Sequence, residues 1–496
     1  MSSSNRTRSW PLAIAGAMAL VALLAAAPAR PASGVRPSAK GDADEMWATE
    51  FARRKAEARA RRKGRGKEVH PHVVAAAAPA PVTTPAPPAQ GFAPQTRLGF
   101  TAGDQWEPSI AADAHGHVYV FYAQYQGVPG CPTCPSPTGV IQVSDDGGAT
   151  FGPPRPIVPS TGTQFDPQIV VDPLDGATVY AAWLQNDKSL TVVARSDDFG
   201  DTWNVSVASR SSLSTDKPIL AVRGDDVYVA YSRTNTAYFG ASHDGGRTFS
   251  TTSVKTGKLG LPLASAGTVL PNGHVVFSFG GYTKSGNATG EVNLFLARST
   301  DGGRTFKTSL VDRSAAAADC PDYLCGYAYL AAQIVVAADD DGTVYALWTA
   351  GAVDRGPARA YFARSTDGGA TFGPRTEVSS APQGADHAFP AIVARGRGDV
   401  RISWMDAREA AGAGAAAVPA WNVYYRTSTD GGVTWSGEQD LSTPVAGFSY
   451  IFAEGFSFPF GDYYELDVDG DGNTHAIFGE GLNYDSPGSI WYTRGR

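Results

Sequence analysis

Nowhere after residue 27 does the chain approach the run of about 18 apolar residues that a membrane-spanning helix needs, so no transmembrane segment is expected. Its one long apolar stretch, Leu12 to Ala27, is itself short for a span. It follows Arg6 and Arg8 and leads into Ala27-Pro28-Ala29, the order of a secretory signal peptide and its cleavage site. No cysteine stands near that site to carry a lipid anchor. The reading is a signal peptide over residues 1–29 and an exported, soluble product, secreted to the extracellular space or the periplasm. Cysteine is scarce, four in 496 residues. The two pairs, Cys131-x2-Cys134 and Cys320-x4-Cys325, can close as local disulfides in an oxidising compartment. The alternative, a zinc site, is opposed by the spacing of the second pair and by the want of a nearby histidine. Charge is sparse as well, 18% of residues beside 43% apolar ones, with 56 Gly and 34 Pro, which describes a turn-rich globular protein rather than a disordered or fibrous one.

The charge that is present divides unevenly. Residues 1–90 hold 14 Lys and Arg against 6 Asp and Glu, and the remainder holds 27 against 42. The basic clusters between Arg53 and Lys67 read as a solvated tail, or alternatively as a grip on an anionic polymer. An Ala- and Pro-rich linker from Ala75 to Pro94 follows, so residues 30–90 are assigned to a disordered basic segment and linker. The acidic remainder argues against nucleic acid as a ligand.

What the chain has in abundance is a repeat. The phrase S-x-D-x-G-x-T-aromatic occurs six times without a fault, at Ser144–Phe151, Ser196–Trp203, Ser242–Phe249, Ser299–Phe306, Ser365–Phe372 and Ser428–Trp435. Before each copy lie short runs rich in Val, Ile and Tyr, bounded by Gly, Asp and Pro, as in Pro108–Asp113, His117–Tyr122 and Thr191–Arg195; these read as three strands. The phrase is then the turn into a fourth. Its Ser and Asp bond nearby backbone groups, its Gly takes a positive φ, and its aromatic plugs the turn. Identical residues in six units cannot all face one site, so the phrase is structural.

Four-stranded units repeated radially make a β-propeller, an all-β fold. Six units carry the phrase, and a seventh runs from Phe460 to Arg494 with the chain stopping where its phrase would begin. The strand it lacks is expected from the segment around Gln95–Phe100, so that an N-terminal strand closes a seven-bladed ring over residues 91–496.

The phrases are identified as the Asp-box, or BNR, repeat, and residues 91–496 resemble the sialidase superfamily of propellers. Sialidases are six-bladed, which makes six the alternative count. The resemblance implies glycosidase chemistry: three Arg on a substrate carboxylate, a Tyr nucleophile activated by a Glu, and an Asp as acid and base. Tyr463-Tyr464-Glu465-Leu466 is similar to the family's Tyr-Ser-x-Leu phrase, with Tyr463 at the nucleophile position, and Phe478-Gly479-Glu480 resembles its Tyr-Glu ending. The family's Phe/Tyr-Arg-Ile-Pro phrase has no match. Its place reads Trp106-Glu107-Pro108-Ser109-Ile110, a departure that counts against sialic acid. The same repeat also occurs in polysaccharide lyases and in non-enzymatic receptors and assembly factors.

If the phrases lie on one face, function belongs to the opposite one. Its loops carry Glu107, Asp166, Asp216, Lys217, Arg233, Tyr282, Arg355, Asp386, His387, Asp406, Arg408, Asp462, Tyr463 and Glu480. The candidate catalytic residues are Tyr463, Asp166, Asp406 and Glu480. Arg233, Arg355, Arg408, His387 and the stacking ring of Trp106 are the candidate substrate contacts. Asp467-x-Asp469-x-Asp471-Gly472 matches the opening half of a calcium loop but has Phe478 at its twelfth position, and a plain turn is the other reading. No cofactor is required. The leading expectation is an exported, monomeric, sialidase-like propeller that binds and hydrolyses extracellular or cell-surface glycans, with Asp166 or Asp406 as proton donor. The alternatives are a non-catalytic binding or scaffold propeller and a polysaccharide lyase using His387 with Arg408.

Overall fold

The computed structural model describes residues 91–284, 289–317, 330–411, 418–442, 463–481 and 488–496, without the side chains of 409–411, 418–420, 480, 481 and 488. The signal peptide, the basic segment, Cys320, Cys325 and Asp462 lie outside the described residues. Seven antiparallel four-stranded sheets account for nearly every described element, which is the seven-bladed propeller expected from the repeat rather than the six-bladed alternative. In chain order the innermost strands are Asp104–Ala112, Gln164–Val171, Asp216–Arg223, Leu261–Val269, Ile334–Ala338, His387–Arg395 and Glu465–Val468, and each touches its two neighbours around the axis. Blades one to six take their four strands consecutively. In the seventh, Thr96–Leu98 pairs with the last strand, Gly488–Gly495, through Thr96 opposite Tyr492 and Leu98 opposite Ile490.

The apolar residues pack between blades rather than within them. Ile141 and Phe121 of blade one meet Ile169, Trp183 and Val192 of blade two, and Phe239 of blade three meets Phe277, Phe279 and Phe295 of blade four. Leu98, Ile477, Ile490 and Tyr492 of blade seven meet Ile110, Val118 and Val120 of blade one. A strand flanked by sheets on both faces must be apolar on both, which is why the second strands read as near-continuous runs such as Val118-Tyr-Val-Phe-Tyr-Ala123, all fully buried.

All six phrases adopt one geometry. In the first, Ser144 Oγ donates to Asp146 Oδ1 (2.8 Å) and accepts from Gly148 N (2.8 Å), while Asp146 accepts from Thr150 N and Thr150 Oγ1, each at 2.7 Å. The bonds recur around Asp198, Asp244, Asp301, Asp367 and Asp430. The closing aromatic reaches the preceding blade: Phe151 stands edge-on to Tyr492 and Trp435 edge-on to Phe362, with centroids 4.9 and 5.0 Å apart.

A second recurring device joins the blades. In blades one, two, five and seven an Asp ends the first strand (Asp113, Asp172, Asp339 and Asp469) and uses one oxygen to cap its own turn, as Asp339 Oδ1 does for Asp341 N and Thr343 N. From the same position Asp172 accepts from Gly224 N and Asp339 from Gly398 N, both in the next blade.

Candidate site at the mouth of the channel

Strand direction separates two faces. Gly147 N donates to Gly116 O and Gly431 N to Gly398 O, so the phrases lie beside the first hairpins, at the far end of the inner strands. The opposite face is where the inner strands begin. There three consecutive blades share a local distortion: Glu107, Asp166 and Lys217 have left-handed φ of 56°, 51° and 53°, and each precedes a proline. The strand register slips beside each of them, between Trp106 and Ser109, Phe165 and Gln168, and Asp216 and Ile219. Phe389 before Pro390 repeats the feature in blade six with an apolar side chain. A non-glycine residue held there costs about 1–3 kcal/mol and persists only where its surroundings fix it, and such bulges re-aim side chains.

The three side chains converge with groups from two further segments. Lys217 N donates to Asp166 Oδ2 (3.3 Å), and Lys188, from the turn after the second strand of blade two, lies 3.7 Å from Asp166 and 3.6 Å from Asp216. Glu107 and Asp216 are also in hydrogen-bonding contact with Asp166. From blade seven, Tyr463 enters with its hydroxyl donating to Pro167 O (3.2 Å), and Lys217 Nζ sits 4.0 Å above its ring. Burial opposes ionisation of Asp166, but Lys188 and Lys217 outweigh it and hold its carboxyl below the usual range. Asp166 is therefore a carboxylate at neutral pH, suited to stabilising positive charge and unsuited to the proton-donor role expected from sequence.

Below this mouth the inner strands of blades seven, one and two are tied side by side by one carboxyl. Glu465 accepts from Ser109 Oγ (2.5 Å), Ile110 N (3.2 Å) and Gln168 Nε2 (2.8 Å), while Gln168 Oε1 accepts from Leu220 N (2.5 Å). Burial pushes Glu465 up to about 7, and likewise Asp467, bonded to Ala112 N, up to about 6.

The other sequence candidates lie elsewhere. His387 and Asp406 are 0% exposed in blade six, so neither stands on the open face where the loop reading put them. Asp406 accepts from Trp404 Nε1 (2.9 Å) and Arg408 Nη2 (2.6 Å), and His387 Nε2 is 3.6 Å from it. Burial pushes the His387 imidazole down to about 4 and the neighbouring Asp386 carboxyl up to about 6. Arg408 also pairs with Glu438 and stacks on Tyr424, whereas Arg233 bonds Ser211 and stacks on Tyr238 in blade three. Arg355 is exposed in a blade-five loop, its N–H bonded to Ala316 O. Trp106 packs against Tyr125, centroids 5.2 Å apart. Glu480 lies in the second strand of blade seven, and its side chain is outside the described part.

The calcium candidate is built as a turn. Asp469 accepts from Asp471 N, Asn473 N, Asn473 Nδ2 and His475 Nε2, and among the described residues no group of three or more His, Cys, Asp or Glu side chains forms a metal-ligand set. Cys131 and Cys134 form a disulfide. No helix among the described residues is long and apolar enough to cross a membrane.

Sequence reasoning placed Tyr463 and Asp166 but missed Lys188, Glu465 and the pairing of Glu107 with Asp166. Glu465 follows Tyr463 by two residues, so strand alternation alone puts them on one face. Lys188 stands in a turn whose residues Asn186, Asp187 and Lys188 all hold left-handed φ, a feature that no residue type in the sequence signalled.

Residues 94–331 match the family described as a BNR repeat-like domain. No curated protein matches the chain. Among solved structures it is similar to a Hadza microbial sialidase, with 15% identity over 79% of this chain and 66% of that one and a TM-score of 0.42. It is similar to a protein of unknown function from Dyadobacter fermentans, with 15% identity over 82% of this chain and 98% of that one, TM-score 0.45. It is also similar to the NanB sialidase of Streptococcus pneumoniae, with 12% identity over 81% of this chain and 70% of that one, TM-score 0.42.

Proposed function

We infer that this chain, a sialidase-like BNR-repeat β-propeller, is an exported protein that binds extracellular glycans at the channel mouth and hydrolyses a glycosidic bond there. One observation carries the reading: left-handed, pre-proline residues on three successive inner strands bring Glu107, Asp166 and Lys217 together against Tyr463. Backbone strain repeated at one end of a propeller, with ionisable groups on three of the four strained residues that precede a proline there, marks a functional site better than a structural one. The Cys131–Cys134 disulfide agrees with an oxidising compartment.

In the hydrolytic reading Asp166 supports positive charge developing at the sugar ring, Tyr463 attacks from its place beside Lys217 while water carries its hydroxyl proton to the leaving oxygen, and a second water then displaces the sugar from the Tyr463 oxygen and restores its proton. The test is a panel of aryl glycosides and polysaccharides offered to the protein and to Tyr463→Phe. Turnover that falls at least about a hundredfold in the variant is expected; absence of turnover on every substrate rules out the hydrolytic step. The second reading, a non-catalytic binding propeller, is favoured by the absence of an arginine at Glu107, and glycan binding that survives Tyr463→Phe without turnover would select it. The lyase reading needs His387 as an accessible base, and its full burial behind Asp406 speaks against that.

A further inference from the structure

The charges at the mouth restrict what kind of sugar can enter, given that the glycan reading above holds. Three carboxyl groups, Glu107, Asp166 and Asp216, meet two lysines there. Both cations are already engaged: Lys188 bridges Asp166 and Asp216, and Lys217 is seated over the Tyr463 ring while its backbone N–H holds Asp166. Arginine, which grips a carboxylate with a two-pronged fork, makes none of the contacts described in the cluster. The neighbouring blades hold theirs in other work. Arg233 is bound to Ser211 and Tyr238, Arg408 to Asp406 and Glu438, and Arg359 to Glu377 and the carbonyls of Ala381 and Pro382. Residues 285–288, 318–329, 412–417, 443–462 and 482–487, the internal segments outside the description, contain no Lys or Arg at all, so the sequence offers no cation from them.

An anionic sugar entering this mouth would meet Glu107 and Asp216 without gaining a free cation, and like charges a few ångströms apart in a partly dry site repel strongly. Hydroxyl groups, by contrast, donate to carboxylates. We propose that the sugar unit bound at the mouth carries no acid group, and that Glu107 is the residue that turns acidic sugars away. It sits on a strained backbone position at the head of its strand, in contact with Asp166, where a change of its charge alters the field of the whole cluster.

The experiment is ligand-observed NMR and calorimetric titration of the full chain with two sets of probes. Lactose, cellobiose and N,N'-diacetylchitobiose are the uncharged set; 3'-sialyllactose and digalacturonic acid are the acidic set. At least one uncharged sugar is expected to bind at least about tenfold more tightly than either acidic one. Glu107→Gln should narrow that ratio and Glu107→Arg should reverse it, in variants whose melting temperature shows them folded. Acidic sugars binding as tightly as uncharged ones, in competition with them, would overturn the inference and leave the glycan reading standing. An unchanged ratio in folded Glu107→Arg would remove Glu107 from the role. If no sugar of either set binds, the glycan reading itself fails and this inference with it.

Discussion

At the scale of single residues, the repeated phrase divides its work among atoms whose loss has different sizes. Ser365 is almost fully buried and its Oγ both accepts from Gly369 N and donates to Asp367. Ser365→Ala orphans that amide and should destabilise by about 1–2 kcal/mol, read as a shift of the denaturation midpoint. The glycines of the turns are not equivalent either. Gly148 has φ +78°, and a Cβ there would lie 1.8 Å from the Tyr492 hydroxyl, whereas Gly116, φ +94°, has nothing within 4 Å. Gly148→Ala should therefore cost more than about 2 kcal/mol and Gly116→Ala only about 1; equal costs would show that backbone strain alone, and not the approach of blade seven, requires glycine in the phrase. The roles of Ser, Asp, Gly and Thr were legible in the sequence because every bond they make lies within eight residues. The mouth was legible only in part. Tyr463 and Asp166 stood out as residue types in plausible loops, but the contacts among Glu107, Asp166, Lys217 and Tyr463 join blades one, two, three and seven, and no local pattern encodes which blades meet.

At the scale of elements, the blade count was readable because the phrase marks each third strand and its missing seventh copy marks a strand taken from elsewhere; Thr96–Leu98 pairs where that strand was wanted. The hairpin aspartates were visible only as turn residues. Their second function, reaching the next blade, depends on the angle between sheets. Asp172 offers both carboxylate oxygens to Gly224 N at 2.9 and 3.0 Å. Asp172→Ala should cost about 1–3 kcal/mol, and hydrogen exchange at Gly224 in blade three should rise with it. A loss of protection confined to blade two would contradict the cross-blade role. The expectation that His387 and Asp406 lie on an open loop face failed for a related reason. The inner strand of blade six begins at His387, and its partner strand carries Asp406 directly opposite, so both fall inside the sheet.

At the scale of the whole molecule, two groups of carboxyls oppose one another in their pH dependence. In the phrases, hydrogen bonds from Thr and Ser hold Asp146, Asp301 and Asp430 down to about 2 and lower Asp198, Asp244 and Asp367 as well. A depressed folded value contributes stability that is present above the unfolded value of about 4 and is lost as pH falls toward 2. Burial pushes Glu465 up to about 7 and Asp467 and Asp386 up to about 6, which reverses the sign: their contribution is complete below about pH 4 and is lost as pH rises through 6 to 7. His387, pushed down to about 4, acts the other way between about pH 4 and 6.5, but it is one group against three. The melting temperature should accordingly be highest near about pH 5 and decline on both sides, and Glu465→Gln should flatten the alkaline side. A melting temperature that climbs steadily to pH 8 would contradict the assignment of buried, protonated carboxyls to the channel.

The central claim is that the phrases hold the propeller together while the opposite face, at the channel mouth, binds the ligand. Glycan-array binding of the intact protein, measured beside Asp166→Asn at the mouth and Asp146→Asn in the first phrase, tests it most directly. Asp166→Asn is expected to lose binding while the protein still melts cooperatively, at a lower temperature because Lys188 loses its partner, and Asp146→Asn to lower the melting temperature while the binding pattern is kept. Binding lost in Asp146→Asn and kept in Asp166→Asn would place the function on the face assigned here to structure.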